Sequence, residues 1–306
     1  MRSRVTVCIP TYNGAQYLLS AVQSVLGQSA VDLNLFIVDD CSSDTSISTV
    51  EQVVSDQRLW ILKNDCRLGL VGNWNRCLDL SRSDPILLFH QDDRMRAGFL
   101  EHAVAALDRY PDAGFVFSNV ETIDADGSAL GGHWSPGVLP AEDGYIPGQD
   151  LIRLLLANGN IVPCQTVLAR AAMYAQAGPF KSSFGYVPDL EMWLRFAQLS
   201  GAVYLAHPWV EIRRHPGQES ARFIATAREV HEVRRAFQLY FSSAPGHGDS
   251  DGISMSEART LARHHLHHWI IGNFRQSLRQ RRWRHAVDFG MCFARFQLET
   301  FHGSPC

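Results

Sequence analysis

Short apolar runs alternate with longer stretches of helical period through the first 118 residues. Val5–Ile9 is an apolar run ended by Pro10, and Leu18, Val22, Val25 and Leu26 then recur at helical spacing behind Asn13, a residue suited to capping. The cycle repeats. Further strands are predicted at Leu33–Val38, Leu59–Leu62, Pro85–His90 and Gly114–Phe117, with helices over Ser42–Ser55, Gly72–Leu80 and Ala97–Arg109. This alternation predicts an α/β fold with a mostly parallel central sheet and flanking helices. Ligands of such sheets bind beyond the carboxyl ends of the strands, so the residues just after each strand carry the candidate chemistry.

Past residue 118 the period weakens. Residues 119–186 are rich in Gly and Pro, and Asp124–Gly148 shows no clear period, which predicts a lid or binding loop. An amphipathic helix comes next at Leu190–Leu199, then short strands at Ala202–Ala206 and Val210–Arg213. From Gln218 onward the pattern is helical, broken by the Ser-, Gly- and Asp-rich stretch Ser242–Ser254. The predicted division is residues 1–118 and 119–222 as two halves of one catalytic domain, with 223–306 as a helical extension.

Composition narrows the class. The chain has 306 residues, 46% hydrophobic and 19% charged, which excludes disorder, collagen and coiled coil. Its 7 cysteines are an odd number, scattered and without a CxxC pair, so neither a disulfide framework nor a zinc knuckle is expected and a reducing, cytoplasmic setting fits. The first apolar stretch is too short for a signal peptide, and no window approaches the roughly 18 apolar residues of a membrane span. The net charge of -3 hides an asymmetry: residues 223–306 hold 11 Arg against 7 Asp and Glu, while the rest is acidic.

Three strand ends stand out. Pro10-Thr11-Tyr12-Asn13 offers backbone groups, a hydroxyl and a flat ring to a nucleobase, and equally reads as a strand-to-helix turn with an Asn cap. Asp39 and Asp40, before Cys41-Ser42-Ser43-Asp44, can accept from a base imide or a ribose hydroxyl; Ser42 or Ser43 can also be the N-cap of an acidic first helical turn. Asp92 and Asp93, after His90-Gln91, repel each other unless a cation neutralises them, and Mg²⁺ or Mn²⁺ binds through one or two carboxylates plus substrate phosphates.

Together these motifs resemble family 2 glycosyltransferases of the GT-A fold. The likeness rests on Val5–Asn13, Phe36–Asp44, Gly69–Asn75 and Phe89–Asp93, and continues through Asp189–Arg195 and Arg213–Ser220. It implies that Pro10, Thr11, Tyr12, Asp40, Asn75 and Asp92 contact a nucleoside diphosphate sugar donor, of the UDP or dTDP type. It also implies that Asp93, with His215, holds the metal and that Asp189 is the base deprotonating the acceptor hydroxyl. Pro188 stands where the family's catalytic pair has Glu, so Glu191 competes with Asp189 for that role. The expected reaction is metal-dependent, inverting transfer to a glycan or lipid-linked acceptor in surface polysaccharide synthesis, and some look-alikes use deoxysugars such as rhamnose. Asp189 at a helix start is also what capping and dipole preferences place there, and His215 also suits a short turn with Pro216-Gly217.

Two other readings are open. A sugar nucleotidyltransferase would need a Gly-rich, basic loop after the first strand, which Pro10–Asn13 does not supply; a non-catalytic nucleotide-sugar binder would keep the fold without the base. The missing GxGxxG argues against a dehydrogenase. In the extension, His264, His267 and His268 share a helical face, and Arg275–His285 is strongly basic around Trp283. This helical pair can pack on the catalytic domain, pair with a second copy as a homodimer, or lie peripherally on an anionic membrane surface. The slightly acidic chain argues against nucleic acid.

Overall fold

The computed structural model describes residues 4–29, 31–80, 85–133, 137–218, 228–243 and 253–301. Most of the predicted break Ser242–Ser254, and the end of the Arg213–Ser220 motif, lie outside the described residues. One sheet organises the chain. Its strands are β1 (Arg4–Thr11), β2 (Asp32–Asp39), β3 (Leu59–Lys63), β4 (Ile86–Leu88), β5 (Arg94–Met95), β6 (Ala113–Ile123), β7 (Ala129–His133), β8 (Gly144–Ile146), β9 (Leu168–Ala169) and β10 (Gly201–Arg213). Their order is β3-β2-β1-β4-β9-β6-β10-β5, with β7 beside β6 and β8 beside β10.

The predicted alternation accounts for the parallel run β3-β2-β1-β4. The sheet as a whole is mixed, because β9 enters antiparallel to both neighbours, between β4 and β6, while β6 and β10 pair parallel. Residues 118 and 119 both lie within β6, and the two strands predicted between Ala202 and Arg213 are one, β10, whose register shifts around Pro208. That residue lacks an N–H for the ladder. The stretch Asp124–Gly148 is likewise not structureless: β7 and β8 pair antiparallel with β6 and β10.

The helices are α1 (Leu18–Leu26), α2 (Ser46–Val53), α3 (Gly69–Leu80), α4 (Phe99–Arg109), α5 (Gly148–Asn158), α6 (Ala171–Ala177), α7 (Pro188–Leu199), α8 (Arg228–Ser243), α9 (Met255–Arg279) and α10 (Trp283–Phe301). Side chains alternate across each strand, so the sheet has a core on each face. Val5, Val7, Ile9 and Val116 pack with α1 and α4, whereas Cys8, Phe115 and Phe117 pack with α3, α5 and α7. The second core also takes Val230, Val233 and Phe237 of α8, Leu266 and Ile270 of α9 and Phe289 of α10. The helices α8, α9 and α10 therefore pack on the face of the sheet that α3, α5 and α7 cover.

Candidate functional site

The carboxyl ends of β1, β2 and β4 meet in one place. Thr11 pairs in register with Asp39, the Asp40 N–H donates to the Thr11 carbonyl at 2.8 Å, and Thr11, Asp39 and Asp40 are all buried. Pro10, half-buried, ends the strand beside them. Gln91 joins the first and fourth strand ends: its Oε1 accepts from the Tyr12 N–H at 3.0 Å and its Nε2 donates to the Tyr12 carbonyl at 3.2 Å. Arg67 lies 3.8 Å over the Tyr12 ring.

Two capping expectations change. Asn13 does not cap α1, which starts at Leu18; it adopts a left-handed φ of 47°, and its Oδ1 accepts from the Ser43 N–H at 2.9 Å. Ser42 and Ser43 do not start a helix either. That helix, α2, starts at Ser46, whose N–H donates to Asp44 Oδ1 at 3.0 Å. In both cases these polar side chains tie two strand-end loops to each other, an outcome local preferences could not rank against capping.

Asp40 receives the N–H groups of Leu68 and Gly69 at 2.7 and 2.8 Å and the Asn64 amide at 3.0 Å. Its carboxylate thus caps the start of α3, where positive backbone dipoles favour an anion. Asn75, further along α3, uses both ends of its amide on the Phe180 backbone, at 2.8 and 2.9 Å, and so pins the segment before α7 to α3.

The turn after β4 gathers His90, Asp92 and Asp93, whose nearest ligand atoms lie within 4.8 Å of one another. The Arg213 N–H donates to Asp93 Oδ1 at 2.8 Å, and the Arg213 guanidinium donates to the Asp92 carbonyl at 2.9 Å. His215 Nε2 lies 3.0 Å from Asp92 Oδ2, with its ring against Tyr17. One oxygen of each carboxylate is therefore fixed by β10 and the turn behind it. Burial, then the neighbouring Asp92, pushes the Asp93 carboxyl up to about 6. Burial disfavours the charged form of His90, but Asp93 and Cys164 outweigh it and hold the imidazole well above its ordinary range. Two adjacent carboxylates and an imidazole in a recess fit a divalent cation, which would relieve their repulsion. The metal pair expected from the sequence is Asp93 and His215. The structure instead groups His90 with Asp92 and Asp93, and His215 reaches that group through Asp92.

Asp189 and Glu191 both fall in the first turn of α7, about 200° apart around the axis, and so face different surroundings. Asp189 is half-buried and accepts from the Asn160 amide at 2.6 Å; burial raises its carboxyl, while Asn160 and the charge of His90 act the other way. Glu191 is buried and lies between two cations, 2.5 Å from Lys181 Nζ and 2.6 Å from Arg195 Nη2. His90, Gln91, Arg213 and Asn160 join the site without having been marked by the sequence as functional residues. The first three stand inside the motifs quoted above, and their packing is what singles them out: Trp74 stacks on His90 with centroids 5.7 Å apart.

Comparison with known proteins gives consistent matches. Residues 6–165 match glycosyl transferase family 2. The chain is 29% identical over 239 residues to the uncharacterised protein MT1568 of Mycobacterium tuberculosis, covering 76% of this chain and 73% of that one. It is 28% identical over 126 residues to the succinoglycan biosynthesis protein ExoO of Rhizobium meliloti, 41% of this chain and 36% of that one. Among solved structures, S. aureus TarS 1-349 in complex with UDP-GlcNAc shares the fold with a TM-score of 0.72 at 14% identity, over 96% of this chain and 81% of that one. The mannosyltransferase PcManGT of Pyrobaculum calidifontis, in complex with GDP-Man and Mn²⁺, does so with a TM-score of 0.61 at 18% identity, over 100% and 77%.

Proposed function

Because this chain belongs to glycosyl transferase family 2 and is a glycosyltransferase, we propose that it moves a sugar from a nucleoside diphosphate donor, of the UDP or dTDP type, to a hydroxyl of a glycan or lipid-linked acceptor, with inversion. The likeness to a succinoglycan biosynthesis protein supports a role in surface polysaccharide synthesis. The GT-A neighbours that carry UDP-GlcNAc or GDP-Man support the donor class.

The strand-end loops divide the work. Thr11 and the loop closed by Asp40 face the donor base, while Tyr12, held by Gln91, offers its ring. A divalent ion, Mg²⁺ or Mn²⁺, held by His90, Asp92 and Asp93 would neutralise the negative charge that grows on the departing pyrophosphate. Arg213 and His215 fix the two aspartates. Asp189 takes the proton of the acceptor hydroxyl at an oxygen of its carboxylate, and burial raises its basicity while the Asn160 amide orients it.

One observation carries this assignment. Of the two first-turn carboxylates on α7, Asp189 is held by a neutral amide and senses His90, whereas Glu191 is locked between Lys181 and Arg195. Asp189→Asn should keep the affinity for a nucleoside diphosphate, measured by calorimetry, and lower sugar transfer by about 10² to 10⁴. Full transfer by that variant would remove Asp189 as the base.

A further inference from the structure

The α9–α10 hairpin has an inner face and an outer face of different chemistry. On α10, Ala286, Phe289 and Cys292 are buried against the protein, whereas Trp283, Val287 and Met291, four residues apart on the opposite side, are 64%, 60% and 54% exposed. Leu278 near the end of α9 is also exposed. Arg275, Arg279, Arg281, Arg282 and Arg284, on the same two helices and the turn that joins them, are exposed as well, and among the described residues none of the five forms an ion pair. Asp288 is the one acidic residue in the span 275–294.

A water-facing helix surface ordinarily carries polar side chains. Here three large apolar groups share one exposed side, and the charged residues of the same span are five arginines against one acidic residue, Asp288. Arg281, Arg282 and Arg284 also stand at the N-terminal end of α10, whose first turn has no acidic residue. Helix backbone dipoles already make that end positive, so the guanidinium groups raise a potential that an anionic partner would relieve. Arg281 holds a left-handed φ of 56° at the hairpin tip, a conformation glycine adopts at less cost.

We propose that this face is a docking surface for an anionic lipid bilayer, with Trp283, Val287 and Met291 in the interfacial layer and the five arginines against acidic headgroups. An amphipathic helix with this division lies in the membrane surface. No helix among the described residues is long and apolar enough to cross a membrane, so docking places the protein on the bilayer. Two copies paired through this face about a twofold axis would set five arginines against five. A nucleic acid would satisfy the arginines but leave the apolar stripe in water.

The test is partition of the full chain onto vesicles of phosphatidylcholine alone or mixed with phosphatidylglycerol, followed by flotation. Binding should be about tenfold or more stronger to the anionic vesicles and should weaken as salt is raised. It should fall by a similar factor in Trp283→Ser/Met291→Ser and, separately, in Arg281→Glu/Arg282→Glu, with thermal midpoints unchanged because these side chains face outward. Absence of binding to anionic vesicles, or equal binding by wild type and both variants, overturns the proposal. A dimer seen by sedimentation that Trp283→Ser dissociates, without vesicle binding, assigns the face to a second copy instead. The readout uses no sugar donor, so its outcome is separate from that of the proposed transfer reaction.

Discussion

Glu232 on α8 accepts a hydrogen bond from the Tyr186 N–H at 2.6 Å, and the same carboxylate receives the N–H groups of Gly185 and Val187 at 3.1 and 3.2 Å. These are the residues that lead into α7, so a side chain from the extension supplies the anionic cap for the helix that carries Asp189. Glu232→Ala should cost about 1–3 kcal/mol of stability, because three donors lose a charged acceptor. If the cap also positions Asp189, transfer should fall more in kcat than in donor KM, and Glu232→Gln should restore part of it. Equal kcat in the Ala variant would show that α7 holds its place without the cap.

Glu191 and Asp189 should separate by phenotype. Glu191→Gln leaves Lys181 and Arg195 facing a neutral buried group and should lower stability by about 3 kcal/mol, seen in the denaturant midpoint. Asp189→Asn should leave that midpoint close to wild type and act on turnover.

Gly14 leaves no room for a side chain between the strand-end loops. A Cβ there would overlap Gln91 Oε1, and Gln91 is the residue that pairs with the Tyr12 backbone. Gly14→Ala should therefore displace Gln91, cost about 1–3 kcal/mol and weaken donor binding. Thermal unfolding and donor titration of Gly14→Ala and Gln91→Ala should show the same loss of affinity.

Asp93→Asn should abolish the thermal shift produced by donor plus Mn²⁺ over donor alone, while His215→Ala, which frees Asp92 to move, should reduce it in part. An undiminished shift in Asp93→Asn would place the metal elsewhere.

Acid should loosen the extension. His265 of α9 packs against Phe237 of α8 and beside Gly159 after α5, and burial lowers its pKa to about 4. Unfolded, it titrates near 6.5, so the unfolded chain binds more protons between these values and stability falls as pH drops from about 6.5 towards 4. The loss by pH 5 is about 2 kcal/mol, and His265→Phe should remove it. Glu229 of α8 acts in the opposite sense: burial raises it to about 7, so its contribution is lost as pH rises from about 4.5 to 7. Unfolding curves across this range, for wild type and Glu229→Gln, would resolve the two slopes.

The alternation of apolar runs with helical stretches determined the parallel half of the sheet, because each such element arises from its own residues. The strand-end motifs determined where chemistry would gather, since neighbouring parallel strands deliver their carboxyl-terminal loops to one edge of the sheet. Tertiary structure alone decided that β9 enters antiparallel between β4 and β6, a pairing of segments some 80 and 50 residues apart in sequence with no local signal. It separated Asp189 from Glu191, two residues apart in a sequence that left both open, because helical geometry turns one towards His90 and Asn160 and the other towards Lys181 and Arg195. It also resolved the extension into a packed inner face and an exposed basic, apolar outer face. The residues on α10 specify an amphipathic helix; which side meets protein is settled by α8, α9 and the catalytic core against which the helix packs.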